Sequence, residues 1–232
     1  MHVLAIDTST ATVDVAIGSD GSVVGEVKLA GGQRHAEQLA PAIEYLGRET
    51  GVALTQLSTI AVGLGPGLFT GLRVGVTTAK VMAQALRIPV VGVPSLDLVA
   101  YPLRHTTRLI VPVLDARRRE VFHARYRPVP GGVQRESDYA VDGPDDVVAE
   151  LAAGGEEILL AGEGAHRYAK EFDELERAER AGLEFATPSA AALVDLATVR
   201  FEREEFVPPA EIEPLYLRRS DAEIEWDRRA AG

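Results

Sequence analysis

The sequence predicts an α/β protein built as an internal duplication, with mixed sheets flanked by helices. Two observations carry this. The chain opens with a β-β-β-α-β-α spacing, which makes a sheet with helices on its faces. An apolar run ending in aspartate, Leu4-Ala-Ile-Asp7, has a counterpart in Leu109-Ile-Val-Pro-Val-Leu-Asp115. Each is followed by a short polar turn and a returning strand, the pattern of a repeated unit.

The elements follow in order. Val3 to Asp7 is a short apolar strand, and Val13 to Gly18 returns after the hydroxyl-rich turn Thr8-Ser9-Thr10-Ala11-Thr12. Ser22 to Leu29 follows the Ser19-Asp20-Gly21 turn as a third strand. A helix is expected over His35 to Thr50, kinked near its start by Pro41. Ile60 to Leu64, Thr70 to Arg87 and Val90 to Val93 read as strand, helix, strand. In the second half, Glu120 to Tyr126 is the returning strand and Ile158 to Ala161 a later one. Helices are expected over Pro144–Ala153, Ala165–Glu176 and Ala190–Glu204. The boundary falls near Leu103 to Arg108, dividing the chain into halves of residues 1–105 and 106–232.

The stretch from Gly63 to Gly75 joins an apolar strand to a helix through a run rich in glycine, with one proline at Pro66. Glycine serves where backbone takes positive φ or passes close to another group. Thr70 is a candidate N-cap. Amides converging at such a turn bind an anion, or the turn lets a helix pack hard on a sheet. The spacing leaves both open. No Gly-Lys-Ser/Thr follows, so it is not a Walker P-loop, and it is not a G-x-G-x-x-G pyrophosphate loop.

The 232 residues carry 24 basic and 35 acidic side chains, a net charge of −11. That balance argues against this chain being the main nucleic-acid surface and leaves a basic or mixed-charge protein partner compatible. There is no cysteine, hence no disulfide, thiolate nucleophile or Cys-based zinc site. With no basic leader or long apolar stretch at the start, the expectation is a soluble, unprocessed, cytoplasmic chain with no membrane contact.

Several stretches together resemble one family. They are Ile6-Asp7-Thr8-Ser9, Arg34-His35-Ala36-Glu37-Gln38-Leu39-Ala40-Pro41, the Gly65 to Gly75 run, Val91-Gly92-Val93-Pro94-Ser95-Leu96, Leu114 to Val121 and Pro214-Leu215-Tyr216-Leu217-Arg218. They closely resemble TsaB, also called YeaZ, over essentially the whole chain. The resemblance implies a duplicated fold of the actin, Hsp70 and sugar-kinase type. It also implies a part in forming N6-threonylcarbamoyladenosine at position 37 of tRNAs that read ANN codons. The family member is a non-catalytic partner subunit. The transfer chemistry belongs to the related TsaD-type protein, a TsaE-type ATPase joins them, and the chain pairs with itself when its partner is absent. One departure is Leu68, where the family usually has serine and the TsaD branch tends to carry leucine.

The catalytic branch carries His-x-x-x-His after the strand at Val90–Val93, two imidazoles one helical turn apart that hold a metal. Here those positions are Ser95 and Val99. The five histidines, at 2, 35, 105, 123 and 166, include no pair at helical spacing, so no metal is expected. No catalytic residue and no cofactor are assigned. Asp7, Thr8, Ser9 and Asp115 sit where this fold places phosphate-facing turns and are the candidates for a nucleotide. The same residue types also close turns by bonding their own backbone. The turn Ala116-Arg117-Arg118-Arg119 lacks glycine; it reads as a solvated turn or part of a partner contact.

On the helix after the glycine run, Arg73, Thr77, Lys80, Gln84 and Arg87 form one narrow polar stripe, and nearly everything else is apolar or small. Such a helix is covered on more than one side, by its own domain alone or by its sheet and a second protein. The earlier helix carries Leu39, Ile43 and Leu46 on one stripe, with Tyr45 a candidate exposed anchor. In the family these two helices form the shared face, which carried onto this chain predicts an interface of Ala42, Tyr45, Leu72, Val76 and Lys80. The expected role is therefore to bind and activate the transferase, with tRNA contact indirect or minor. The alternative is a stand-alone metallohydrolase or phosphotransferase of the same fold. The tail from Pro208 is expected to return to the sheet through Leu215 to Leu217; Trp226 stands alone in a charged end.

Overall fold

The computed structural model describes residues 1–30, 32 and 34–218. The first half comprises β1 (His2–Asp7), β2 (Thr12–Ser19), β3 (Ser22–Ala30), α1 (His35–Thr50), β4 (Thr59–Gly63), α2 (Phe69–Leu86), β5 (Val90–Val93) and α3 (Ser95–Ala100). The second comprises β6 (Leu109–Arg117), β7 (Glu120–His123), β8 (Tyr126–Val129), β9 (Gly132–Arg135), β10 (Ala140–Asp142), α4 (Pro144–Gly154), β11 (Ile158–Ala161), α5 (Glu163–Arg167), α6 (Ala169–Phe172), β12 (Ala178–Arg180) and α7 (Ala190–Glu202).

The duplication is explicit in the sheets. The first has strand order β3-β2-β1-β4-β5 and the second β10-β7-β6-β11-β12, the same order twice. In both, the opening strand pairs antiparallel with its successor and parallel with the strand after the helix. This is the duplicated actin, Hsp70 and sugar-kinase type of fold.

Strands β1 and β4 are buried on both faces, which is why they read as unbroken apolar runs. Leu4 and Ile6 point into the cluster under α1 and α2, while Val3 and Ala5 point to the opposite cluster, where Leu193, Val194 and Ala197 of α7 lie. Thus α7 follows the second sheet in sequence and packs on the first. Bare backbone at Gly18 makes room for it, since a Cβ there would collide with Val194. The first sheet ends at Val93 and the second begins at Leu109, and α7 then crosses back.

Four local expectations differ from the structure. The residue capping α2 is Leu68, with no side-chain bond to the helix, and Thr70 lies inside the first turn. Glu120 to Tyr126 is interrupted: Arg125 turns to bond Ser137 and Glu136, and Tyr126 begins a separate hairpin with β9. The helix expected over Ala165–Glu176 breaks at Tyr168, whose ring reaches back to Asp115, leaving the short α5 and α6. The tail joins β5 earlier than expected, through Val207 bonded to Val90, and Leu215 then donates to the Leu64 carbonyl. Helix α1 runs through Pro41 to Thr50. Trp226 lies outside the described residues.

Candidate functional site

The Asp7 carboxylate is buried at the end of β1. Its Oδ1 accepts from the Ser9 amide at 3.0 Å and the Ser9 hydroxyl at 2.8 Å. Its Oδ2 accepts from Ser95 Oγ at 3.1 Å, and that hydroxyl accepts from the Gly65 amide at 3.1 Å. Burial pushes the Asp7 carboxyl above the usual carboxylate range, opposed by the bonds from Ser9 and Ser95. Thr8 Oγ1 donates to the Gly71 carbonyl at 2.7 Å, and His35 Nε2 donates to the Thr10 carbonyl at 2.7 Å.

The glycine run is the other half of this arrangement. A Cβ on Gly67 would fall well inside 3.0 Å of the Ser9 carbonyl oxygen, and one on Gly71 equally close to that of Thr8. The Leu68 amide donates to Ser9 at 2.7 Å. Of the two uses left open by its spacing, the run serves close packing: it seats the start of α2 on the turn after β1. Asp7, Thr8 and Ser9 are brought together and buried, Asp7 and Ser9 bonded to each other and Thr8 and Ser9 to the start of α2.

Asp115 occupies the equivalent position at the second sheet and repeats the turn. Its Oδ1 accepts from the amide two residues on, Arg117, at 3.0 Å, as Asp7 accepts from Ser9. It also accepts from Tyr168 Oη at 3.2 Å and from Arg117 Nη1 at 3.0 Å, with Arg167 Nε at 3.6 Å. Arg117, Arg118 and Arg119 all lie in the left-handed region, at φ 65°, 54° and 61°. Glu163 sits nearby, its carboxyl raised by burial and by the charge of Asp115. Tyr168, Glu163 and Arg167 escaped sequence reasoning. The repeat of the Asp turn marked their neighbourhood, but only the chain's return through α5 brings them to it.

The five expected interface residues separate. Ala42, Leu72 and Val76 are buried in the chain's own core, at 5%, 1% and 4% exposure. Lys80 donates its ammonium to the Ala210 carbonyl at 2.9 Å, tying α2 to the tail. Tyr45 is 48% exposed, with the Arg48 guanidinium over its ring. The open side of α2 carries Thr70, Arg73, Thr77, Val81, Gln84 and Ala85, with Val81 at 59% exposure. Ser95 and Val99 of α3 are both buried, Ser95 bonded to Asp7 as above. Among the described residues, no group of three or more His, Cys, Asp or Glu side chains is placed to hold a metal ion.

The profile of the family described as "TsaD: tRNA N6-adenosine threonylcarbamoyltransferase" matches residues 28–226. YeaZ from Pseudomonas aeruginosa has 30% sequence identity and a TM-score of 0.81, the match covering 93% of this chain and 99% of that one. This chain belongs to the TsaB family, also called YeaZ. The Escherichia coli protein named "tRNA threonylcarbamoyladenosine biosynthesis protein TsaB" is 29% identical over 96% of each chain. An uncharacterised Mycobacterium leprae protein is 37% identical over 95% of this chain, which spans only 55% of that longer relative.

Proposed function

We propose that this chain is a non-catalytic subunit in the formation of threonylcarbamoyladenosine in tRNA, acting by binding and activating a TsaD-type transferase. The observation that carries this reading is the open flank of α2 beside α1. Val81 of α2 and Tyr45 of α1 each stand exposed, on helices that pack against each other and on their own sheet. The pathway is that of the relatives from Escherichia coli, Bacillus subtilis and Haemophilus influenzae, named for tRNA threonylcarbamoyladenosine biosynthesis. Ser95 and Val99 add support: the positions that resemble the catalytic branch's histidine pair are filled by one hydroxyl bonded to Asp7 and one aliphatic side chain.

In this reading the subunit stabilises the conformation of the transferase that accepts substrate, which requires tighter binding to that state than to its alternative. The same flank pairs two copies of the chain when the transferase is absent, and a TsaE-type ATPase joins the larger complex. The complex works in the cytoplasm, with no cofactor on this subunit.

The test is a calorimetric titration with the TsaD-type protein of the same organism. Saturable one-to-one binding is expected. Val81→Glu and Tyr45→Glu weaken it at least tenfold while leaving the melting temperature within a few degrees. Val76→Glu buries a charge in the core and unfolds the chain instead. Absence of binding, or unchanged binding by both surface variants, overturns the reading.

A further inference from the structure

The end of the described chain forms a strap between the two sheets. Leu215 donates to Leu64 beside the first sheet. The Tyr216 ring lies 5.2 Å from that of Phe69 at the start of α2, and its hydroxyl accepts from Arg73 Nε at 3.2 Å. Leu217 packs into the cluster under the second sheet, and Arg218 pairs with Glu120, next to the Arg117–Arg119 turn. Tyr216 and Arg218 are two residues apart, at most about 7 Å between Cα atoms. The strap therefore joins an aromatic group on one sheet to an arginine cluster on the other.

That cluster runs against the character of the chain. In a protein of net charge −11, Arg73, Arg117, Arg118, Arg119 and Arg167 are all exposed along this face, and Arg218 is partly so. Carboxylates do sit among them. Arg117 and Arg167 lean on the buried Asp115, Arg119 on Glu171 and Arg218 on Glu120. A guanidinium has five donors, and one such contact leaves others directed at solvent.

The three consecutive left-handed residues also spread their side chains around a helical path rather than aiming them at one point. A single small anion cannot engage all three, whereas successive phosphates of a chain can. Tyr216, 42% exposed, offers a ring face at the other end of the strap. Guanidiniums for phosphates beside an open aromatic for a base is the chemistry of RNA binding. An acidic peptide would use the arginines and gain nothing from the ring.

We propose that the Arg117–Arg119 turn, Arg167 and the Tyr216 strap form a local RNA-contacting surface, engaging the backbone and one unstacked base. This rests on the tRNA-modification reading above. It gives the chain a direct RNA contact, small enough to coexist with an acidic remainder.

The test is fluorescence anisotropy of the full chain with a labelled, unmodified tRNA transcript, titrated at several salt concentrations. Saturable binding is expected. The Arg118→Ala/Arg119→Ala double variant weakens it at least tenfold and flattens the log K against log salt slope by about two. The Arg118→Lys/Arg119→Lys variant keeps most of the affinity. Tyr216→Leu weakens binding about fivefold or more with the salt slope unchanged. No saturable binding, or unchanged binding by the alanine and leucine variants, overturns the proposal. So does displacement of the tRNA by polyglutamate of equal charge, which would assign the face to an acidic protein. The same variants still bind the TsaD-type protein in calorimetry. Failure of the RNA contact is thus distinct from failure of the partner reading, which loses that binding in the wild-type chain.

Discussion

Ser95 donates its hydroxyl hydrogen to Asp7 across a sequence separation of 88 residues, at 3.1 Å in a fully buried setting. The same oxygen accepts from the Gly65 amide. One side chain thereby ties the end of β1, the glycine run and the start of α3 together.

Ser95→Ala removes that tie. It leaves Asp7 Oδ2 short of a donor and the Gly65 amide short of an acceptor, and unmet buried groups cost about 1–3 kcal/mol each. Urea denaturation is expected to show a lower midpoint with an unchanged slope; a midpoint equal to wild type would mean that the tie contributes nothing.

Gly71→Ala drives a methyl group into the Thr8 carbonyl, where neither the turn nor α2 has room to yield. The expected loss is about 3 kcal/mol. Gly154→Ala is the control, because a Cβ there meets nothing within 4 Å. It should be neutral or stabilising by up to about 1 kcal/mol, as alanine favours helix. Equal effects at the two positions would refute the close-packing role of the run.

Asp14 predicts a pH dependence. Burial pushes its carboxyl up to about 6, Lys28 at 3.2 Å opposing the shift and Glu26 adding to it. Between the unfolded value near 4 and about 6, the folded chain holds a proton that the unfolded chain has released. Stability from this group therefore falls as pH rises through that window, by roughly 3 kcal/mol, and is level above it. Asp14→Asn should lack that slope. Chemical denaturation of both proteins from pH 4 to 7 measures it, and parallel curves would contradict the assignment.

Asp97 on α3 accepts from Tyr126 at 2.6 Å and from Tyr139 at 2.8 Å, joining the first half of the chain to the second. Tyr126→Phe is expected to cost about 1.5–3 kcal/mol, the range for hydrogen bonds to a charged group. The double variant with Tyr139→Phe should cost more than the two single losses added, since two donors share one oxygen and each bond strengthens when the other is lost. Strict additivity in thermal denaturation would show that the two bonds act independently.

The sequence alone determined the duplication, because apolar runs ending in Asp7 and Asp115 are local patterns set by burial on both faces of a strand. It placed β5 and β11 to the residue: Pro89 and Pro94 bracket the one, and Glu157 and Gly162 the other. Tertiary structure decided which side of α2 faces inward. A helix apolar around most of its circumference offers no contrast, so Leu72 and Val76 read as surface and core alike until the chain folded over them. It also decided that the glycine run packs against Thr8 and Ser9, that α7 returns to the first sheet, and that Tyr168 meets Asp115. These contacts join segments distant along the chain, and their energy depends on surfaces that only folding brings together.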